Sequence, residues 1–224
     1  MLALSSIAVL ITGFVLIAVF AFGGSRGLYQ LALDNISEAR FHMKYSQSTE
    51  LRAQFFSGIR EENYQIDGRS GNTIPFALLN IEPLPGVSRF LTTQEMSGVL
   101  QIGTEQIEVT LERNQFGDNF AADIGRLVDI NQDIEFRLAL GTDTVIFEFK
   151  PMMNENAIGW EEALRIAVDN FASQLSGVEF EVYIKIITDN AHTTAFWLVQ
   201  FVTCCNENLL VLITQEGEII NNQP

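Results

Sequence analysis

A chain of 224 residues and 25.0 kDa, 47% of it hydrophobic, has the means to bury a core, which excludes an intrinsically disordered protein. Residues 1–70 balance six basic side chains against six acidic ones, so the whole formal net charge of −15 falls in 71–224. A body this acidic repels phosphate backbones and anionic headgroups, which excludes nucleic acid as a partner.

The chain opens on Leu2 to Ser25, 24 residues without an ionisable side chain. As a helix this stretch would be about 35 Å long, enough to cross a hydrocarbon core of about 30 Å. No Lys or Arg precedes it, the run is long, and Ala21-Phe22-Gly23 is only a fair match to a cleavage site, so a retained anchor is expected rather than a signal peptide. Leu2, Ile7, Leu10, Phe14, Ile17 and Phe20 are the residues expected to face the lipid bilayer. The expectation is a single-pass protein of the cell membrane. Arg26, Arg40 and Lys44 follow the apolar run and favour a cytoplasmic body. An extracytoplasmic body is expected instead, on the resemblances given below.

From Leu28 to about Phe56 apolar residues recur every three to five positions (Leu28, Leu31, Ile36, Phe41, Tyr45, Leu51, Phe55), the spacing of an amphipathic helix. Residues 26–72 therefore read as a helical stalk ending in a polar, glycine-containing loop, and as a surface for homo-oligomerisation. Over 73–150 the period changes to two. Strands are predicted at Ile74–Ile81, Val87–Leu91, Gly98–Gly103, Gln106–Arg113, Ile134–Leu140 and Thr144–Lys150, with Ala121–Val128 a short helix or another strand. Gly103-Thr104-Glu105 and Gly141-Thr142-Asp143 read as hairpin connections.

Pro151 to Gly159 reads as a linker and opens a last unit, 151–224. A helix is predicted from Trp160 to about Leu175, with Glu161 and Glu162 in the first turn where the helix dipole favours acids. Strands follow at Val178–Thr188, Ala195–Thr203 and Leu209–Thr214, then the turn Gln215-Glu216-Gly217-Glu218 before Ile219-Ile220. The fold class expected is α+β: a transmembrane helix with its stalk, an antiparallel β domain, and a small α-β-β-β unit.

Three stretches of this last unit carry a resemblance to a known family. They are the helix start Glu161-Glu162-Ala163 with Ile166-Ala167 one turn on, the aromatic strand Phe196-Trp197-Leu198-Val199-Gln200-Phe201, and the closing Gly217-Glu218-Ile219. Residues 160–221 thus resemble the PepSY domain, of cystatin-like form, although that family's Asp and its Thr before the Gly are missing here. The resemblance implies a module outside the cytoplasmic membrane of bacteria that binds or restrains peptidases and cell-wall enzymes. An apolar helix running on into a stalk is similar in architecture to type IV or tight-adherence pseudopilins, although Ser5 stands where many mature pilins carry an acid.

Chemistry is sparse in the sequence. His42 and His192 have no GxSxG turn beside them and read as surface histidines. Cys204 and Cys205 are adjacent, a spacing that strains a disulfide and suits no zinc site. Asp129, Asn131, Asp133 and Glu135 match the opening of a calcium loop, yet Ile134 and Leu140 occupy the positions that need Gly and Glu. They are expected to be a solvated strand face, and no metal or other cofactor is expected. Tyr183, Phe196, Trp197 and Phe201 are the candidate lining of a peptide groove, with core packing as the plainer alternative. The function expected is non-catalytic: a membrane-anchored protein that binds and regulates an envelope enzyme or assembly through a protein or peptide contact. A pseudopilin-like fibre subunit is the alternative.

Overall fold

The computed structural model describes residues 27–63, 70–115, 117–129, 131–189, 192–203 and 208–220. Residues 27–34 are helical (α1). The strands that follow are β1 (Ile36–Gln47), β2 (Leu51–Glu61), β3 (Thr73–Pro83), β4 (Glu95–Ile102), β5 (Glu105–Arg113), β6 (Phe120–Asp123), β7 (Ile134–Leu140), β8 (Asp143–Glu148) and β9 (Lys150–Pro151). After a connection come α2 (Trp160–Asn170), α3 (Ala172–Leu175), β10 (Phe180–Thr188), β11 (Ala195–Thr203), β12 (Asn208–Ile213) and β13 (Ile219–Ile220).

All thirteen strands belong to one sheet, in the order β13-β12-β11-β10-β1-β2-β3-β6-β5-β4-β7-β8, with β9 added against β1. Because β9 continues the chain from β8 and returns to β1, the stretch from β1 to β9 closes on itself as a barrel. Its interior is filled by alternate residues, as the strand period requires: Leu79 and Ile81 of β3, Leu100 of β4, Phe136 and Leu138 of β7, Phe147 of β8. Beyond β1 the sheet is open, and α1 and α2 cover one of its faces. Ala163, Leu164, Ala167 and Val168 of α2 pack there with Ile184, Trp197 and Phe201 in a second core. Strand β1 serves both halves. It runs parallel to β10 through Ile36–Ala39 and antiparallel to β9 at Lys44 and Tyr45.

The expected α+β architecture with a helical stalk is corrected by this arrangement. Where the stalk was predicted, the helix of 27–34 gives way at Ile36 to the antiparallel hairpin β1–β2. A bulge explains the misleading spacing. The register of β1 slips against β10 between Ile36 and Glu38 and again, at the bulge, against β2 between Arg40 and His42, so Ile36 and Ala39 are both buried though three apart, and the plain alternation of a strand is lost. In β2 the period of two is plain in Leu51, Ala53 and Phe55. The turn between the strands is held by Ser48, whose Oγ accepts from the backbone N–H of Leu51 at 3.1 Å. The surface for oligomerisation and the pseudopilin likeness both needed the stalk, and they go with it.

The single-pass membrane reading, with its extracytoplasmic body, is corrected as well. Among the described residues no helix is long and apolar enough to cross a membrane. The stretch 2–25, with Leu2, Ile7, Leu10, Phe14, Ile17 and Phe20, lies outside the described residues, as do Cys204 and Cys205. One predicted strand is also absent: Val87–Leu91 forms turns, and the Arg113 guanidinium donates to the carbonyls of Phe90 and Leu91, each at 2.9 Å, to hold that segment. The two short hairpins follow the glycines. Gly103 and Gly141 have φ of +57° and +66° at the first loop position, a region that glycine enters without steric penalty.

Candidate functional site

Strand β1 changes partners within its own length, and the space left at the change is the candidate site. Between Ala39, its last residue paired to β10, and Lys44, its first paired to β9, the residues Phe41 to Met43 floor a cleft of about 530 Å³. The bulge that misled the sequence reading turns Phe41 into this fork. Its ring stacks on Trp160, the first residue of α2, with centroids 5.1 Å apart and planes 27° from parallel. Trp197 of β11 lies at the base, buried, with its indole N–H donating to the Ile158 carbonyl at 3.1 Å. Met153 and Ile158 complete an apolar wall, while Glu155, Glu161 and His42 stand at the rim.

The wall belongs to the predicted linker, Pro151 to Gly159, and it is pinned in place. Gln215, in the turn after β12, accepts from Asn154 N through its side-chain oxygen (2.8 Å) and from Ile158 N through its carbonyl (2.8 Å). Its side-chain nitrogen donates to the Ala195 carbonyl at 3.2 Å. On the other side of α2, Tyr29 of α1 donates to the Glu161 carbonyl at 3.3 Å. The cleft therefore exists without a ligand to shape it, which limits the ordering cost of binding. Removal of the Gln215 side chain is expected to leave folding nearly intact, at a cost of about 1 kcal/mol, and to weaken any ligand of the cleft; thermal melts beside a binding titration would show the split.

The four aromatic residues predicted to line one groove do not share a face. In the β10–β11 ladder Tyr183 pairs with Gln200 and Ile187 with Phe196, so Tyr183 and Phe196 project from one side of the sheet. Trp197 and Phe201 project from the other, towards α2, and both are buried. Only Trp197 reaches the cleft. Tyr183 is buried and donates to Glu181 Oε2 at 2.9 Å. The same oxygen lies 3.0 Å from Ser37 Oγ, which also lies 2.8 Å from Glu61 Oε1. This buried network joins β1, β2 and β10, and its geometry is that of a structural tie.

The calcium-like run forms no cation cage. Asp129, Asn131 and Asp133 are exposed in the connection between β6 and β7, and Asp129 Oδ1 accepts from the backbone and side chain of Asn131 at 3.0 and 3.1 Å. Glu135, on β7, is paired with Arg137 Nε at 2.6 Å. Among the described residues no three His, Cys, Asp or Glu side chains converge. The run has a different role. Burial pushes the Lys44 ammonium below its ordinary range, and it donates at 2.8 Å to the Gln132 carbonyl of this connection.

Both histidines are held towards their neutral forms. Desolvation lowers His42 against the pull of Asp129 and Glu161, and lowers His192, together with Arg52, against Glu82 and Asp189. His192 stacks on Tyr45, centroids 5.9 Å apart, and its Nδ1 lies 2.7 Å from Thr188 Oγ1. A base depressed in the fold refuses protons that the unfolded chain accepts. The stability it contributes is complete above the ordinary imidazole range and falls as pH drops through about 6.5. Two carboxyls act lower down. Burial pushes Glu38 up, but Arg40 and Lys185 outweigh it and hold it below the usual range. The backbone N–H of Thr194 and the side chain and N–H of Thr193 do the same for Asp189. Their contribution is present above the usual carboxylate range and lost as pH falls through the lowered values. Urea midpoints are thus expected to fall in two stages on acidification. In a variant carrying His42→Gln and His192→Asn (asparagine tolerates the φ of +54° at 192) the upper stage should shrink.

Comparison with protein families, with curated proteins and with solved structures finds no match to this chain. The class of protein is therefore defined by the fold and the fork alone: a β protein with a preformed aromatic cleft where its barrel and its helix-covered sheet separate. Sequence reasoning missed Phe41, Met153, Trp160 and Gln215 as site residues. The one signal available was the placement of a tryptophan, one of only two in the chain, directly after the connection and at the start of a helix.

Proposed function

We propose that this chain is a binding protein, not a catalyst, and that it holds a segment of a partner protein in the fork cleft. The observation that carries this reading is the cleft itself, with a Phe41–Trp160 stack and a buried indole beneath it. Aromatic and thioether surfaces of this kind supply apolar contact to a side chain, and the preformed wall keeps the entropic cost low. The resemblance of residues 160–221 to the PepSY domain supports the same class of activity, since that family is one of binding and restraint. On this reading the barrel holds β1 against β9, so that β1 parts from β10 after Ala39 and leaves the cleft open.

Panning the full chain against a displayed library of random peptides tests the proposal. Selected peptides are expected to lose at least about tenfold in affinity for a Phe41→Ala/Trp160→Ala variant, the loss of one or more hot-spot contacts. Both side chains are half-buried and at the surface of the core, so the variant should remain folded by circular dichroism. Peptides that bind wild type and variant alike would place recognition elsewhere on the molecule.

A further inference from the structure

We infer that the segment held by the fork cleft is cationic, presenting a lysine or arginine next to an apolar side chain. The inference rests on the binding function proposed above and adds the chemistry of the partner. Glu155 and Glu161 stand exposed at the rim, and among the described residues that line the cleft there is no Lys or Arg. Among the described residues no arginine is left over for them. Each of the eight arginines among the described residues already has a carboxylate within ion-pair distance, and Lys185 is paired with Glu38.

The contrast between neighbours in α2 makes the point. Glu162 is engaged by Arg165 at 2.5 Å, whereas Glu161 turns back towards Gly159 at the mouth of the cleft. Glu161 also occupies the first turn of α2, so the positive end of the helix is already matched by an acid and offers little to an anionic ligand. What the rim presents is negative charge at the edge of the Trp160 and Phe41 rings. A guanidinium or ammonium gains there twice, from the carboxylates and from the ring faces, while its apolar neighbour enters between Met153 and Trp197.

Intrinsic fluorescence reads this site directly, because both tryptophans of the chain line it. The full chain is titrated with three blocked tetrapeptides in which leucine alternates with arginine, glutamine or glutamate. The arginine peptide is expected to bind at least about tenfold more tightly than the glutamine peptide, an advantage that shrinks as salt screens the rim. Glu155→Gln/Glu161→Gln should remove the advantage, and Glu162→Gln, which alters the same helix turn away from the cleft, should keep it. Equal affinity for the arginine and glutamine peptides would overturn the cationic inference and leave the cleft as a binding site, as would an advantage that survives Glu155→Gln/Glu161→Gln. Tighter binding of the glutamate peptide would overturn it as well. No fluorescence response to any of the three would overturn the inference and the binding function together.

Discussion

Replacing Gly58 with alanine is expected to lower stability by about 3 kcal/mol, close to 10 °C in melting temperature for a chain of this size. Gly58 lies in β2 opposite the bulge of β1. A Cβ built there would sit 2.9 Å from the carbonyl carbon of Ala39 and closer still to its oxygen, so the obstacle is backbone that cannot rotate away. Relief would require the two strands to separate where β1 is about to leave β10. The same substitution is therefore expected to disturb the cleft, and Trp160 fluorescence should shift even below the melting transition. Gly27→Ala is the control: nothing lies within 4 Å of its added methyl, and a helical position gains from alanine. A Gly58→Ala protein as stable as wild type would show that β1 and β2 do not approach as closely as described.

Truncating Phe136 to alanine is expected to cost about 4 kcal/mol, the range for deleting a fully buried ring. Phe136 points into the barrel from β7 and is inaccessible to solvent, with its ring over Gly98 of the neighbouring β4. A Cβ on Gly98 would meet that ring at 2.7 Å, which suggests that trimming the ring would make room for Gly98→Ala. It should not. The same Cβ also runs into the Arg137 carbonyl oxygen, which belongs to the backbone of β7 and stays when the ring is gone. The double variant is accordingly expected to be no more stable than Phe136→Ala alone, by urea denaturation. A double variant more stable than the single would mean that the ring alone excludes a side chain at 98. Because β1 is common to the barrel and the open sheet, and β2 sends Phe55 into one core and Phe56 into the other, both losses should appear in one cooperative transition rather than in a barrel melting by itself.

The parts of the fold legible in the sequence are those in which one local rule acts undisturbed. Strict alternation in Ile107, Val109 and Leu111 marks β5, and its strand is observed from Glu105 to Arg113. The acids at 161 and 162 and the stop near Gly177 mark α2 and α3, and three strands follow them in the predicted order. The hairpin 36–61 was illegible for a definite reason. Register slips in β1, against β10 between Ile36 and Glu38 and against β2 between Arg40 and His42, break the alternation of burial, and a window that straddles them reads spacings of three to five residues as a helix. The site was less legible still. Phe41, Trp160 and Trp197 are far apart along the chain, and apart from the place of Trp160 at a helix start nothing local distinguishes them from core aromatics. Conversely, Tyr183, Phe196, Trp197 and Phe201 look like one surface on paper, but the two-residue pleat sends them to opposite faces.

What the amino-acid sequence by itself determined about this protein is the set of elements with regular period and punctuation, together with the acidity of everything after residue 70. Both follow from short-range physics: side-chain alternation, turn glycines, caps and charge count. Only the tertiary structure decided that the strands form a single sheet, that β9 closes a barrel against β1, and that β1 then divides its edge between two partners. Those outcomes depend on pairings between residues more than a hundred positions apart, such as Lys44 with Pro151 and Ala39 with Ile184. Whether such a pairing forms is settled by the shape and burial of the assembled whole, which no window of sequence contains.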